Sequence, residues 1–295
     1  MRLNRFLALA GISSRRGAED YIREGRVTVN SKLITDLATQ VSLSDRVRVD
    51  GRVVHPQEFV YLLVNKPANF ITTRADEGSR KTIYDLLPEE LPNLAHVGRL
   101  DKESEGLLLL TNDGDLAFQI THPKFKLEKE YLVTLDREFQ TEDAAKTKKG
   151  VYLSEGRARF EAVFKVNRQQ VRVILTQGLK RQVRRVFAAL DYKVRRLQRV
   201  RIGPLTDRGL RPGEVRLLSK KEIELLTNLG RRRQVVMRST LTKPLYGLGD
   251  SADGEFVHFS LGRDGLRAVR LIISDPHNKV RRRKMGRHGG RPSHK

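Results

Sequence analysis

The chain has no cysteine among its 295 residues. That excludes disulfides, iron–sulfur clusters, thiolate zinc sites and any cysteine nucleophile. Its seven histidines, at positions 55, 96, 122, 258, 277, 288 and 294, never fall at helical i, i+4 spacing, so no metal site is expected. A phosphate-cradling P-loop and a G-x-S-x-G elbow are both missing. No apolar run approaches the roughly 18 residues of a membrane span, and no signal-peptide pattern is found, so a cytoplasmic location is expected. An enzyme made from this sequence must work with carboxylates, Tyr, Lys and Arg.

What the sequence has in excess is positive charge. A formal net charge of +23 exceeds what solubility needs and is the footprint of a partner carrying many phosphates. Nucleic acid is the expected partner, because basic residues interrupt the amphipathic segments that could lie on a membrane. With 38% hydrophobic residues the chain is long enough for one or two domains with cores of their own.

Residues 1–54 read as a compact unit. Leu3, Phe6, Leu7 and Ala10 form one apolar helical face, stopped by Gly11. Ser14 is placed to cap a second helix whose inward face is Ala18, Tyr21 and Ile22. "GRVTVN" and "DRVRVDG" then alternate as short half-buried strands. In this order and spacing the segment resembles the S4 RNA-binding domain. The resemblance implies that Arg15, Arg16 and Arg23 on the second helix lie against structured RNA.

A second, larger unit, 59–228, opens with the apolar strand "FVYLLVNKP". Further strands are predicted at "EGLLLLTN", "KEYLVTLD", "RARFEAVFKV" and "QVRVILTQG", with helices around 115–121, 141–148 and 180–190. This is α+β with a mainly antiparallel sheet. Ser219 and Glu222 form a capping box for a last helix through Leu226. Residues 229–295 hold 16 Lys and Arg against 5 Asp and Glu, a net +11. Within them "EFVHFSLGRDGLRAVRLIIS" predicts a small hairpin turning at Arg263-Asp264-Gly265, and the final fifteen residues, with nothing apolar to fold around, are expected to be a disordered basic arm.

The chemistry is expected in "HVGRLDKESEGLLLLTNDGDLA", residues 96–117, where Asp101 stands beside a core run of four leucines. Gly98 permits a tight backbone ahead of it, and Asn112-Asp113-Gly114 signals a turn and a helix cap. By itself G-R-L-D is a short pattern. Together with "VNKP" upstream, "EKEYLV" downstream and "GLKRQVRRVF" later, it resembles the S4-containing ribosomal RNA pseudouridine synthases over about residues 1–228.

That resemblance implies a catalytic nucleophile at Asp101, a Tyr131 ring against the target uracil, an Arg184 that ion-pairs with Asp101, and an Arg99 that helps displace the base from its stack. It also implies isomerisation of uridine in ribosomal RNA, with a lean toward the large subunit. A small-subunit target and a non-catalytic ribosome-assembly protein stand as the alternatives. The reaction moves a glycosidic bond from N1 to C5 and oxidises nothing, so no cofactor is required. Its needs are a carboxylate, a cation to keep it ionised, and an aromatic face for the base. The wider stretch 172–201 holds ten Lys and Arg, among them Lys180, Arg181 and Arg185, and reads mostly as a phosphate-binding face. Ribosomal RNA or a subunit precursor is the expected partner of a monomeric protein.

Overall fold

A computed structural model of the protein describes residues 1–74, 76, 78–88, 91–235, 256–262 and 265–271. The N-terminal part has helices α1 (Leu3–Leu9) and α2 (Arg15–Arg23), then strands β1 (Val27–Val29), β2 (Lys32–Ile34), β3 (Val47–Val49) and β4 (Arg52–Val53). Ser14 caps α2 by accepting from the Gly17 amide at 3.1 Å. Leu3, Phe6, Leu7, Ala18 and Ile22 bury the two helices on Val27, Val47 and Val49 of a sheet ordered β2-β1-β3-β4. The helical and strand periodicities of this part therefore close on one small core.

The second part runs β5 (Tyr61–Lys66), β6 (Ala95–Val97), β7 (Glu105–Thr111), α3 (Gly114–Thr121), β8 (Lys129–Leu135), α4 (Thr141–Lys149), β9 (Val151–Leu153) and β10 (Gly156–Ala158). It continues through β11 (Ala162–Lys165), β12 (Gln170–Leu175), α5 (Gln182–Ala188), β13 (Val194–Ile202), β14 (Leu205–Thr206), β15 (Val215–Leu217) and α6 (Lys220–Val235). Strands β16 (Phe256–Gly262) and β17 (Gly265–Leu271) follow. One 11-stranded sheet has the order β11-β12-β8-β13-β7-β5-β15-β16-β17, with β6 on β7 and β14 on β13. The pairings are antiparallel except β13 with β7. The architecture is α+β, as the mixed periodicities predict.

Alternation along the strands assigns opposite side chains to opposite faces. One face carries Tyr131, Val133, Val171 and Val173, packed with Leu100 and with Val183, Val186 and Phe187 of α5. On the same face Leu62, Val64, Leu108 and Leu110 pack with Ile83, Leu86 and Leu94. The other face, Leu63, Leu107, Leu109 and Ile202, is covered by Leu116 and Ile120 of α3 and Leu226 of α6. Asp113 caps α3 through the Asp115 and Leu116 amides, both at 3.1 Å.

Three expectations need correction, and one strand was not anticipated. "RARFEAVFKV" is two strands, not one, because Phe160 turns inward to pack on Phe187 and breaks the run. The expected helix near 180 begins only at Gln182, since Arg181 has φ +50 and lies outside helical space. The capping box at Ser219 and Glu222 forms as expected, but its helix continues to Val235. Finally, "VRRLQRVRI" is a nine-residue strand in the middle of the sheet. The hairpin beyond residue 229 is present as β16 and β17 and extends the sheet from β15, through Val215 opposite Phe259 and Arg216 opposite His258. Its turn residues 263 and 264 and the expected basic arm lie outside the described residues.

Candidate active site

The segment 98–104 joins β6 to β7 and carries Asp101. It is anchored at four points. Gly98 takes φ +74, a left-handed turn that an L side chain disfavours. Leu100 is buried, and its backbone amide and carbonyl both bond the Thr72 hydroxyl, at 3.3 and 2.9 Å. The Ser104 amide closes back on the Asp101 carbonyl at 3.0 Å. From below, the Lys66 ammonium donates to the carbonyls of Pro67 (2.9 Å), Lys102 (3.2 Å) and Ser104 (2.7 Å).

Lys66 ends an apolar strand and is 0% exposed. Burying an ammonium costs on the order of several kcal/mol unless fixed dipoles replace its water, and three carbonyls do so here. Burial still pushes its pKa down to about 8, against the pull of Glu105, Asp101 and Glu103. Lys66 is therefore a positioning residue for the loop. It lies inside the "VNKP" motif, and its signal in the sequence is a charge at the end of a core strand.

Asp101 keeps its side chain 36% exposed while its neighbour Leu100 is buried, so the loop holds this carboxylate at the surface of the core, with Glu103 beside it further out. The nearest cation is Arg181, with Nη1 at 3.9 Å from Asp101 and 3.0 Å from Glu103. That pairing holds the Glu103 carboxyl below its ordinary range. The expected direct ion pair between Arg184 and Asp101 is not formed within 4.0 Å. Arg184 instead donates from Nη1 to the Val194 carbonyl at 3.0 Å, and its Nε is buried without a partner. Burial lowers the pKa of this half-buried guanidinium, Arg181 lowers it further, and Glu103 and Asp101 oppose both. Arg184 thus senses the Asp101 charge and has an unspent donor beside the site.

Tyr131 is buried in the core cluster that includes Leu100. It stands in a row across the sheet: Val173, Tyr131, Arg199, Gly106 and Lys66 are successive cross-strand partners. Gly106 has φ +105, and a Cβ there would run into the Arg199 backbone. Only glycine lets β7 approach β13 in parallel at this point.

Several cations of the stretch 172–201 carry ion pairs within the protein. On the face opposite Tyr131, Glu130 pairs with Arg172 (3.1 Å) and Arg201 (2.8 Å), Arg201 also reaches Glu128 (3.1 Å), and Arg196 pairs with Glu105 (2.7 Å). Arg185 pairs with Glu155 at 2.7 Å and also donates to the Lys180 carbonyl at 3.1 Å. These arginines hold strands and helix ends together. Lys180 and Arg99 are exposed, as are Arg15 and Arg16, while Arg23 is engaged by Asp20 (2.9 Å) on its own helix. Among the described residues no cluster of three or more His, Asp or Glu could hold a metal ion, and no helix is long and apolar enough to cross a membrane.

A half-exposed carboxylate on an anchored loop, backed by two arginines and a buried tyrosine, lies within the part of the chain that matches known proteins. Residues 60–189 match the RNA pseudouridylate synthase family, and residues 1–47 match the S4 domain. An RNA pseudouridine synthase of Aquifex aeolicus is 38% identical over 78% of this chain and 97% of its own length. The chain belongs to the RNA pseudouridine synthases. The ribosomal large subunit pseudouridine synthase B of Bacillus subtilis is 36% identical over 77% of this chain and 96% of its own length. A crystal structure of a pseudouridylate synthase superposes with a TM-score of 0.57 at 32% identity, over 77% of this chain and 99% of the other. As a pseudouridine synthase the protein isomerises uridine in RNA, and its S4 domain is the RNA-binding part.

Proposed function

We propose that this synthase acts on ribosomal RNA of the large subunit, with Asp101 as nucleophile, Tyr131 against the target base and Arg184 as the cation that keeps Asp101 ionised while the site is closed. The observation that carries the reading is the placement of Asp101: a part-exposed carboxylate next to the buried Leu100, on a loop tied down by Lys66 and Thr72. The name of the Bacillus subtilis relative supports the substrate class. In the reaction the N1–C1′ bond breaks, the uracil turns and C5 bonds to C1′, after which C5 gives up its proton and N1 holds one. No electrons leave the substrate.

A base stacked inside folded RNA must first be flipped out, at a cost of roughly a few kcal/mol. Arg99, exposed two residues before the nucleophile, helps to displace it. The unspent Nε of Arg184 pairs with Asp101 or the substrate when the RNA excludes water. Residues 1–54 supply RNA positioning through Arg15, Arg16 and Arg23, residues 59–228 the chemistry, and residues 229–295 a basic extension. The working unit is a monomer in the cytoplasm. Carbodiimide adduct mapping of ribosomal RNA from cells with and without the protein tests this. A large-subunit adduct that disappears with the protein is expected; a loss confined to small-subunit RNA, or no change, refutes the assignment.

A further inference from the structure

Arg199 is a buried charge with no charged partner among the described residues. It is 3% exposed and lies in the middle of the sheet. Among the described residues no carboxylate lies within 4.0 Å of it, although the neighbouring sheet arginines on the opposite face each have one. Two other cations are near enough to feel its charge. Lys66 and Lys129 are both pushed down to about 8, chiefly by burial, and the charge of Arg199 adds to each shift. A guanidinium kept there needs a reason beyond stability.

Its contacts supply one. Strand β7 pairs with β13 at Glu105 and Gly106 and with β6 from Leu109 onward. Between them the ladder opens, and the Leu107 carbonyl accepts from Arg199 Nε at 2.6 Å. Nη1 then points at the Tyr131 hydroxyl oxygen, 3.5 Å away, while Nη2 is buried without a partner. The gap that Arg199 fills is also where the segment carrying Asp101 leaves the sheet.

We propose that Arg199 is a positioning residue of the isomerisation, fixing the Tyr131 hydroxyl so that its hydrogen faces the flipped nucleotide. This rests on the placement of Tyr131 against the target base. A guanidinium has donors and no acceptor. It can occupy a lone pair of the phenol oxygen but cannot take the phenol hydrogen, so the hydroxyl is left to donate toward the substrate. The 3.5 Å separation is long for a hydrogen bond and shortens when the base arrives, as bonds in substrate-free active sites commonly do.

The test uses full-length protein and a transcript carrying the mapped uridine. Single-turnover rates at saturating enzyme, and RNA affinity, are measured for Arg199→Gln, Tyr131→Phe and the double variant. Gln keeps an N–H for Leu107 but brings an oxygen to which the Tyr131 hydrogen can turn. Arg199→Gln is expected to slow the bound-state step at least about tenfold with affinity within about twofold, and to add less than about threefold to the loss in Tyr131→Phe. Arg199→Lys, another donor-only group, keeps the rate at neutral pH within about threefold.

Fully additive losses, or an unchanged rate in Arg199→Gln, would overturn the proposal. A wild-type rate in Tyr131→Phe removes Tyr131 from the reaction and sinks the site reading first. Should Arg199→Gln fail to fold in a thermal melt, Arg199→Lys decides: a folded Lys variant that binds RNA yet loses tenfold or more overturns the role as well.

Discussion

The guanidinium of Arg181 lies 3.9 Å from the Asp101 carboxylate, closer than any other cation among the described residues, yet it is 41% exposed and is held more tightly by Glu103. An exposed pair of this kind contributes little, up to about 1 kcal/mol. Arg184 is half-buried, with an unsatisfied donor, and on the proposed reading contributes more once water is excluded. Arg181→Gln should therefore slow the bound-state step by no more than about fivefold, whereas Arg184→Gln should slow it at least about 100-fold. Single-turnover assays of the two variants check the ranking, and the reverse order would mean that Arg181 is the working counterion.

Asp101→Asn keeps the size and the loop contacts of the proposed nucleophile and removes its charge. It should abolish isomerisation while leaving RNA affinity within about an order of magnitude, because binding is dominated by phosphate neutralisation spread over many residues. Tritium release from 5-labelled uridine RNA measures the first, and a filter-binding titration the second. Turnover near wild type would remove Asp101 from the mechanism.

Gly106→Ala tests the row that links the site to the sheet. The new Cβ meets the Arg199 backbone, and φ +105 strains any L residue. Strain and overpacking together should cost about 2 to 5 kcal/mol of stability. Urea denaturation of the variant should show it as a lowered midpoint, and a loss below about 1 kcal/mol would mean that β13 shifts to accommodate the methyl.

The pattern of what could be read in the sequence follows from these same residues. Four leucines beside Asp101, Gly98 before it and Asp113 after it each have a local cause, so the strand, the turn and the cap were all legible. Strand β13 was not. Arginines alternate with apolar residues along it, and charge density suggested a phosphate face, whereas the glutamates that neutralise Arg196 and Arg201 come from β7, from β8 and from Glu128 just before β8, far away in the chain. Lys66 and Arg199 were missed for a related reason. Their shortest bonds are to backbone carbonyls, which leave no trace in side-chain identity. The expected pair of Arg184 with Asp101 is not formed in the RNA-free protein: Arg184 donates to the Val194 carbonyl, and Arg181, left-handed at the helix start, lies nearer the carboxylate.

Glu222 carries an acid-sensitive part of the fold. Burial raises its pKa, but two bonds from Arg216 at 2.8 and 2.9 Å and the Ser219 amide at 3.0 Å outweigh that and hold it at about 2. A carboxyl whose folded pKa lies below its unfolded value stabilises above the unfolded pKa and loses that contribution as pH falls. From the ordinary 4.5 down to about 2 the contribution should fade, by on the order of 3 kcal/mol. Denaturation midpoints of wild type and Glu222→Gln at pH 7, 4 and 3 check this: the variant should start lower and lose less on acidification. A constant gap between the two would show that Glu222 does not titrate in this range.

Two truncations separate structure from electrostatics in the C-terminal extension. Strands β16 and β17 continue the sheet from β15, so ending the chain at Asn228 removes two strands, cuts α6 short and leaves β15 with an open edge. Ending it at Leu271 keeps both strands and removes residues 272–295, which hold 8 Lys and Arg against one Asp. Residues of that composition act on RNA through counterion release, which sets the slope of log affinity against log salt. The shorter cut, at Leu271, should flatten the slope by roughly 0.7 to 0.9 for each phosphate no longer neutralised and leave the melting temperature unchanged. The longer cut, at Asn228, should flatten the slope further and also lower the melting temperature. Neither should change which uridine is modified, since Asp101, Tyr131, Arg184 and the S4 domain remain. A chain ending at Asn228 that melts like the full-length protein would show that the hairpin lends the sheet no stability, and its charge alone would then account for the extension.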